Sequence, residues 1–228
     1  MTTSGTKTFE LDVAEYIEEA FERCGIEVRT GYDLRSARRS LNLLLAEWAN
    51  RGLNQWTIQQ ESVEVTSASS TYPLSASTID IVSAVVRNPL YEGTQNQVDL
   101  SIERISRDYY LNIPNKLAQG RPVQYFLNRQ ITPVLTVWPT PDQTYHIIID
   151  KLVRMDDASA GVNTLEIPFR FYPCLAAGLA YYLAMKKAPD RVQLLKQVYE
   201  DEFDHAASED RDRAPLSLTP SRDWYRVR

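Results

Sequence analysis

The sequence has little cysteine, little histidine and none of the short motifs that mark common enzyme classes. Only two cysteines and two histidines occur among 228 residues. Cys24 and Cys174 stand beside apolar neighbours in a helical pattern, which is typical of buried free thiols in a reducing compartment. No phosphate-binding loop, dinucleotide fingerprint, HExxH, CxxC or GxSxG motif is present. Because His146 and His205 also lack a metal-ligand spacing, we predict no catalytic residue, no metal site and no cofactor.

Long apolar runs and an excess of positive charge are also missing. The longest apolar run, residues 174–185, is too short to span a bilayer, and residues 1–12 lack the apolar core of a signal peptide. We therefore expect synthesis in a cytoplasm without membrane insertion. The formal charge of -5 argues against bulk attraction to nucleic acid. The 43% hydrophobic and 24% charged residues are typical of a globular chain with one large domain or two small ones.

The strongest positive signal is the stretch 33–56, DLRSARRSLNLLLAEWANRGLNQW, which predicts a two-faced helix at residues 33–51 that stops at a glycine and passes into a strand. We expect Asp33 to cap its first turn and Gly52 to take the left-handed conformation just past its end. Its apolar positions recur at spacings of three and four, as a core-facing stripe requires. They are Leu34, Ala37, Leu41, Leu44, Leu45 and Trp48.

More helices lie on both sides of a strand-rich middle. A helix is predicted from Asp12, where Glu15 completes a capping box, to Cys24, with Gly25 ending it. Two more are predicted at residues 168–187, with Pro168 in the first turn, and at about 190–205. Between them the period falls to two, which indicates short strands in an antiparallel sheet or small sandwich. The predicted strands are 56–65, 79–87, 100–105, 124–128, 134–138 and 145–154, with a hairpin loop between Val65 and Tyr72 and a short helix after Ile105.

This order predicts an α+β fold. The N- and C-terminal helices are most simply combined in one four-helix bundle, with an antiparallel β domain inserted and an extended C-terminal tail. The predicted units are 1–54 for the N-terminal helices, 55–165 for the β domain, 166–213 for the C-terminal helices and 214–228 for the tail.

Charge is segregated on the predicted helices. Arg35, Arg38 and Arg39 form a basic face opposite the apolar stripe of the 33–51 helix. Such a face more often pairs with acidic side chains of a neighbouring helix or subunit than with phosphate. The last helix has an acidic outer face, and the first helix has a run of glutamates that is typical of a solvated face. These acidic residues are Glu200, Asp201 and Glu202 on the last helix, and Glu15, Glu18, Glu19 and Glu22 on the first.

The C-terminal tail ends in aromatic residues among arginines. Trp224, Tyr225 and Arg226 combine the residue types that are enriched in binding hot spots. A purely disordered tail usually avoids such aromatics. The tail therefore has two possible interpretations: it is a binding segment, or it is an ordered tail folded on its own domain.

Residues 9–58, from FELDVAEYIEEAFERC to LNQWTI, closely resemble the N-terminal region of head-to-tail adaptor proteins of short-tailed bacteriophages. That family includes the tail tubular protein A group and related tail accessory factors. The tract LNLLLAEWANRG, residues 41–52, is its most specific part. The helices–sheet–helices order extends the resemblance over most of the chain.

The resemblance implies a structural protein without enzymatic activity. Copies would form a ring, typically of twelve, between the portal protein and the tubular tail or nozzle of the virion, with a tail fibre as a further candidate partner. Genomic DNA would pass through without specific binding, and no membrane would be involved.

The resemblance also implies roles for parts of this chain. The helices would pack the ring, with the basic face of one copy, Arg35, Arg38 and Arg39, meeting the acidic Glu200–Glu202 region of a neighbour. The β domain would face the tail. Residues 214–228 would bind the portal through Trp224, Tyr225, Arg226 and Arg228.

Two other functions remain as alternatives. A tail-associated peptidoglycan hydrolase would need an acid–base pair in a cleft, for which the sequence has no positive sign. A nucleic-acid-binding protein would use the face formed by Arg35, Arg38 and Arg39.

Overall fold

The computed structural model describes residues 5–6, 8–27, 31–52 and 55–210, and within them the chain is α+β, as predicted. Helices open and close this part of the chain, and two four-stranded sheets lie between them. The helices are α1 (Val13–Cys24), α2 (Gly31–Arg51), α3 (Arg107–Asn112), α4 (Tyr172–Lys187) and α5 (Val192–Glu209). The strands are β1 (Ile58–Val65), β2 (Thr71–Pro73), β3 (Thr78–Arg87), β4 (Asp99–Ser101), β5 (Glu103–Arg104), β6 (Gln124–Asn128), β7 (Val134–Trp138) and β8 (Tyr145–Val153).

Helix α1 begins and ends where its sequence signals predict. The Asp12 carboxylate accepts from the Glu15 backbone N–H at 2.8 Å, and the Glu15 carboxylate accepts from the Asp12 N–H at 2.9 Å. This reciprocal pair is the predicted capping box. Gly25 follows the helix with φ of 70°, and its N–H donates to the carbonyls of Glu22 and Phe21. The left-handed conformation suits glycine because it carries no Cβ.

Helix α2 begins earlier than predicted. Its first residue is Gly31, so Asp33 lies inside the first turn instead of just before the helix. The Asp33 carboxylate is buried and accepts a hydrogen bond from Lys187 at the end of α4. Leu34 is 37% exposed, so its predicted place in the core stripe is wrong. Since α4 ends beside Asp33, the first turn of α2 lies at the edge of the helical core. At the other end of α2, Gly52 has the predicted positive φ, 72°.

Helix α4 is the centre of the helical core. It packs against α1, α2 and α5, and nine of its residues are buried. A helix surrounded on several sides has no single apolar stripe, which explains the nearly continuous apolar sequence of residues 174–184. Helices α1, α2, α4 and α5 share one hydrophobic core, but the four-helix bundle predicted from the sequence is not confirmed. Pro168 precedes a 3₁₀ turn, Phe169–Phe171, and Pro173 is the proline in the first turn of α4.

The two sheets face each other across a second hydrophobic core, so of the two predicted arrangements the sandwich is present and the single sheet is not. One sheet has the order β1-β8-β3-β4 and the other the order β2-β7-β6-β5. Inward side chains of both sheets meet in this core, which is separate from the helical one. They include Ile81, Ile147 and Ile149 from the first sheet and Tyr125, Leu135 and Val137 from the second.

The predicted hairpin between Val65 and Tyr72 is wrong. Strand β1 pairs with β8, whereas β2 pairs with β7 of the other sheet. The polar run between them is therefore a corner that crosses from sheet to sheet. The Tyr72 hydroxyl holds this corner: it accepts from the Thr66 N–H at 3.1 Å and donates to the Ser69 carbonyl at 2.6 Å.

A second crossing divides the strand predicted at residues 100–105. Strand β4 pairs antiparallel with β3 in the first sheet, while β5 pairs parallel with β6 in the second. The chain changes sheet at the buried Ile102: its N–H donates to the carbonyl of Ala84 in β3, whereas the N–H of Glu103 donates to the carbonyl of Val123, just before β6. The second sheet is therefore mixed and not purely antiparallel.

A loop at residues 154–168 returns the chain from β8 to the helices. The N–H groups of Val13 and Ala14 donate to its Asn163 and Gly161 carbonyls, both at 3.0 Å. Ala158, at 2% exposure, is part of the helical core. The loop therefore fastens the exit of the sandwich to the start of α1.

Candidate functional site

The two cysteines and two histidines, the residue types best suited to catalysis or metal binding, do not form a reactive site in the described part of the chain. Within the described ranges, no three His, Cys, Asp or Glu side chains come together in a way that could hold a metal ion. Cys24 is buried and its thiol donates to the Ala180 carbonyl at 3.2 Å. Burial raises the pKa of the Cys24 and Cys174 thiols, which disfavours the reactive thiolate. His146 Nδ1 lies 2.7 Å from Glu92 Oε2 on the outside of a sheet, and His205 is exposed on α5.

The predicted basic face divides into an anchor and two exposed charges. Arg38 donates to the Ser159 carbonyl, and its Nε is buried without a hydrogen-bond partner. Its neighbour Asn42 binds the same loop, since the Ala158 N–H donates to Asn42 Oδ1 at 2.8 Å. Arg35 and Arg39 are exposed and make no hydrogen bond or ion pair with any described residue. Arg38 therefore has an internal structural role, while the other two are available to a partner.

The basic face carries unbalanced positive charge. Arg35, Arg38, Arg39, Asn42 and Leu43 line a shallow cavity of about 360 Å³ with no acidic side chain. The pKa of Lys186 is lowered, first by burial and then by the positive charge of Arg39. This electrostatic setting favours an acidic partner for the face.

The predicted acidic counterpart on α5 is partly occupied within the same chain. Arg51 donates from both terminal nitrogens to Glu200, at 2.8 Å and 3.0 Å. These hydrogen bonds lower the pKa of Glu200 and keep it ionised. Asp201 is exposed and Glu202 is half-buried. The structure thus leaves Asp201 as the most accessible of the three acids.

Sequence reasoning missed Arg51, which links α2 to α5. Besides Glu200 it binds Glu47, one turn earlier on α2, and its guanidinium lies 4.3 Å from the centre of the Phe203 ring. The i, i+4 spacing of Glu47 and Arg51 was a usable signal. Glu200 lies 149 residues away, so no local pattern identifies it as the second partner.

The acidic face of α1 was predicted to be solvated, and two of its glutamates are engaged locally. Glu15 completes the capping box and Glu19 accepts from Arg23 at 2.7 Å. Glu18 and Glu22 are exposed and make no side-chain hydrogen bond or ion pair with any described residue. They border a cavity of about 460 Å³ between α1 and the start of α4.

The joint between helices and sandwich lies where α2 passes into β1. After Gly52, a 3₁₀ turn at Gln55–Thr57 leads directly into β1. The Trp56 ring packs against Phe171, with 4.5 Å between ring centres. A cavity of about 490 Å³, lined by Trp56, Met155 and Tyr172 among others, lies at this joint. Aromatic packing thus holds this turn against the helical core.

The predicted portal-binding residues, Trp224, Tyr225, Arg226 and Arg228, lie outside the described residues. The same is true of the whole predicted tail, 214–228.

Two comparisons with known proteins add to this picture. The family model described as SU10 adaptor protein matches residues 11–222. No curated protein matches the chain. In the part of the chain that the structure describes, none of the helices combines the length and apolar character needed to cross a membrane.

Proposed function

The chain belongs to the SU10 adaptor protein family and is a phage adaptor protein, and we propose that it is the head-to-tail adaptor of a virion. Copies form a ring that joins the portal to the tail tube or nozzle and lines the channel through which DNA leaves. Membership of an adaptor family supports a structural role rather than an enzymatic one.

The observation that carries the proposal is the presence of two separate hydrophobic cores. One belongs to the helices and the other to the sandwich, and they are joined at the turn Gln55–Thr57 and the loop 154–168. Two independently packed parts can offer separate surfaces to two different neighbours. A protein that links the portal to the tail needs this property.

We assign the two parts to different neighbours. The helical segments, in the units 1–54 and 166–213, pack the ring as a bundle, and the β domain, 55–165, faces the tail. A closed ring uses a heterologous contact, in which one surface of a copy meets a different surface of the next copy. The exposed charges of Arg35 and Arg39 supply one such surface, and an acidic face of the neighbouring copy supplies the other.

The C-terminal tail is the proposed portal-binding segment. Its Trp224, Tyr225, Arg226 and Arg228 supply the aromatic and arginine side chains that dominate many interface energies. Deleting 214–228 should abolish attachment to portal rings. The melting temperature should change little, because both described hydrophobic cores are built from residues between 13 and 206. Attachment that survives the deletion would contradict this role of the tail.

The net charge agrees with a conduit. A formal charge of -5 per copy gives a ring a negative surface overall, which repels the DNA backbone and lets it pass. DNA should therefore not be retained by the purified protein at physiological salt, even with the exposed Arg35 and Arg39. Gel-shift measurements should show no retained DNA for the wild-type protein or for a variant with Arg35→Glu and Arg39→Glu, and a wild-type shift that this variant loses would contradict the point.

The decisive experiment mixes the purified protein with purified portal rings. Electron microscopy should show an added ring of adaptor density on one face of the portal, and sedimentation should show the corresponding increase in mass. A portal of unrelated sequence is the control and should remain bare. Failure to bind the cognate portal over a wide range of protein and salt concentrations would refute the proposal.

A further inference from the structure

We propose that the ring contact pairs a ridge on α2 of one copy with a groove between α1 and α4 of the next copy. This inference rests on the ring assembly proposed above and names the surfaces that form it. The α2 ridge consists of Tyr32, Arg35, Arg39 and Leu43. The α1–α4 groove consists of Leu11, Glu18, Glu22, Pro173 and Ala176.

The α2 ridge has the composition of a binding surface. Its four members follow one another at spacings of three and four, so they form one continuous stripe on the helix. Tyr32 is 68% exposed and Leu43 is 54% exposed. Between them lie Arg35 and Arg39, which have no hydrogen-bond or ion-pair partner among the described residues. Aromatic and arginine side chains beside exposed apolar surface are enriched in protein interfaces.

The α1–α4 groove is complementary in charge and contains a cavity with room for an apolar side chain. Its cavity of about 460 Å³ is bordered by the acidic side of α1 and by the first turns of α4. Leu11, Pro173 and Ala176 supply apolar surface within it. Glu18 and Glu22 stand on its border, and neither is paired with a described residue. An apolar side chain such as Leu43 can enter the cavity while the charges meet around it.

The spacing of the charges matches. Arg35 and Arg39 are four residues apart on one helix, and Glu18 and Glu22 are four residues apart on another. Residues at this spacing lie about 6 Å apart along a helix surface. Two helices laid side by side can therefore form both ion pairs at once.

The α5 acids fit the ridge less well. Glu200 already accepts two hydrogen bonds from Arg51, and a new partner would have to break them. Asp201 and Glu202 are consecutive, so their side chains point in directions about 100° apart around α5. They cannot both face two arginines that lie along one stripe. The α1 pair is therefore the better partner of the basic ridge.

Compensating charge reversal tests this contact. The first variant carries Arg35→Glu and Arg39→Glu, the second carries Glu18→Arg and Glu22→Arg, and the third carries all four substitutions. Each is mixed with portal rings, and the fraction assembled is measured by sedimentation and electron microscopy. We expect the assembled fraction to fall by about tenfold or more in the first two, because like charges then face each other. The fourfold variant should recover most of the wild-type fraction, since opposite charges face each other again.

Two controls separate this contact from other effects. Asp201→Lys with Glu202→Lys reverses the α5 acids and should leave assembly within about twofold of wild type, because those residues lie outside the proposed contact. Melting curves identify any variant that fails to fold. For such a variant, the milder pair Glu18→Gln and Glu22→Gln should weaken assembly without reversing the charge.

Each result decides the question. Recovery in the fourfold variant supports the contact. Rings that form normally in the first two variants, or a fourfold variant no better than they are, overturn this contact while the adaptor function stands. Loss of rings in the Asp201 and Glu202 control overturns it in favour of α5. A wild-type protein that never forms rings on the portal removes both the contact and the proposed function.

Discussion

Replacing Gly178 with alanine should destabilise the protein, although alanine is normally the better residue inside a helix. Gly178 lies in the middle of α4, where this helix meets α2 and α5. A Cβ atom added there would lie 2.9 Å from Leu44 Cδ2 and 2.9 Å from Tyr199 Cε2. These distances are shorter than normal carbon–carbon contacts, so at least one neighbour would have to move.

Two opposing effects set the change in unfolding free energy that Gly178→Ala causes. Helix propensity favours alanine over glycine by about 0.8–1.0 kcal/mol. Overpacking a well-packed core costs about 1–3 kcal/mol. Leu44 is 0% exposed and Tyr199 is 1% exposed, so neither has open space beside it. The Tyr199 hydroxyl also accepts from Trp48 at 2.9 Å and donates to Glu47 at 2.7 Å, which fixes its ring. The overpacking cost exceeds the propensity gain by up to about 2 kcal/mol. Because both neighbours are confined, we expect the free energy of unfolding to fall by about 1–2 kcal/mol, in the upper half of that range.

Urea unfolding measures this loss, at one protein concentration because association would add stability. In a melting experiment the same loss lowers Tm by about 2–8 °C. Gly161→Ala is the matched control, since its Cβ would meet only Ala14 Cβ, at an ordinary 3.6 Å. That variant should stay within about 0.5 kcal/mol of wild type. If Gly178→Ala instead gains the roughly 1 kcal/mol that helix propensity predicts, then Leu44 and Tyr199 yield easily and the reasoning is wrong.

Three more changes test local features of the structure. Asp12→Ala removes the capping box of α1 and should cost about 1 kcal/mol of unfolding free energy in urea, so an unchanged midpoint would contradict the role of the cap. Arg51 lowers the pKa of Glu200, so their pair adds stability above the ordinary glutamate pKa of about 4.3, and this stability is lost as the pH falls through the lower pKa of the folded state. Unfolding free energy should therefore fall more steeply on acidification in wild type than in Glu200→Gln, whereas parallel curves would refute the effect. Cys24 and Cys174 are buried with raised pKa values, so both should react with a thiol reagent only as the protein unfolds in increasing urea. Rapid labelling of the folded protein would contradict this.

Features that depend on neighbouring residues could be read from the sequence. The start of α1 follows from Asp12 and Glu15, three residues apart, and its end follows from Gly25. The end of α2 follows in the same way from Gly52. A cap needs only the few residues that exchange its hydrogen bonds, so the local sequence contains all the necessary information. The α+β class could also be read, since it follows from the change of apolar period along the chain.

Features that depend on distant residues could not be read in this way. The polar run after Val65 has the composition of a hairpin loop, yet it crosses between sheets because β1 pairs with β8. A strand does not indicate its pairing partner when several apolar strands compete for it. The division of residues 100–105 between two sheets has the same cause.

The charged faces depend both on neighbouring residues and on distant ones. The local sequence is enough to place Arg35, Arg38 and Arg39 away from the apolar stripe of α2, because the helical period fixes which residues share a side. The folded chain determines that Arg38 binds the Ser159 carbonyl, 121 residues away, while Arg35 and Arg39 stay exposed. It likewise decided that Arg51 occupies Glu200. Charge becomes available to a partner only where the folded chain does not already neutralise it, and folding brings together residues that no local pattern connects.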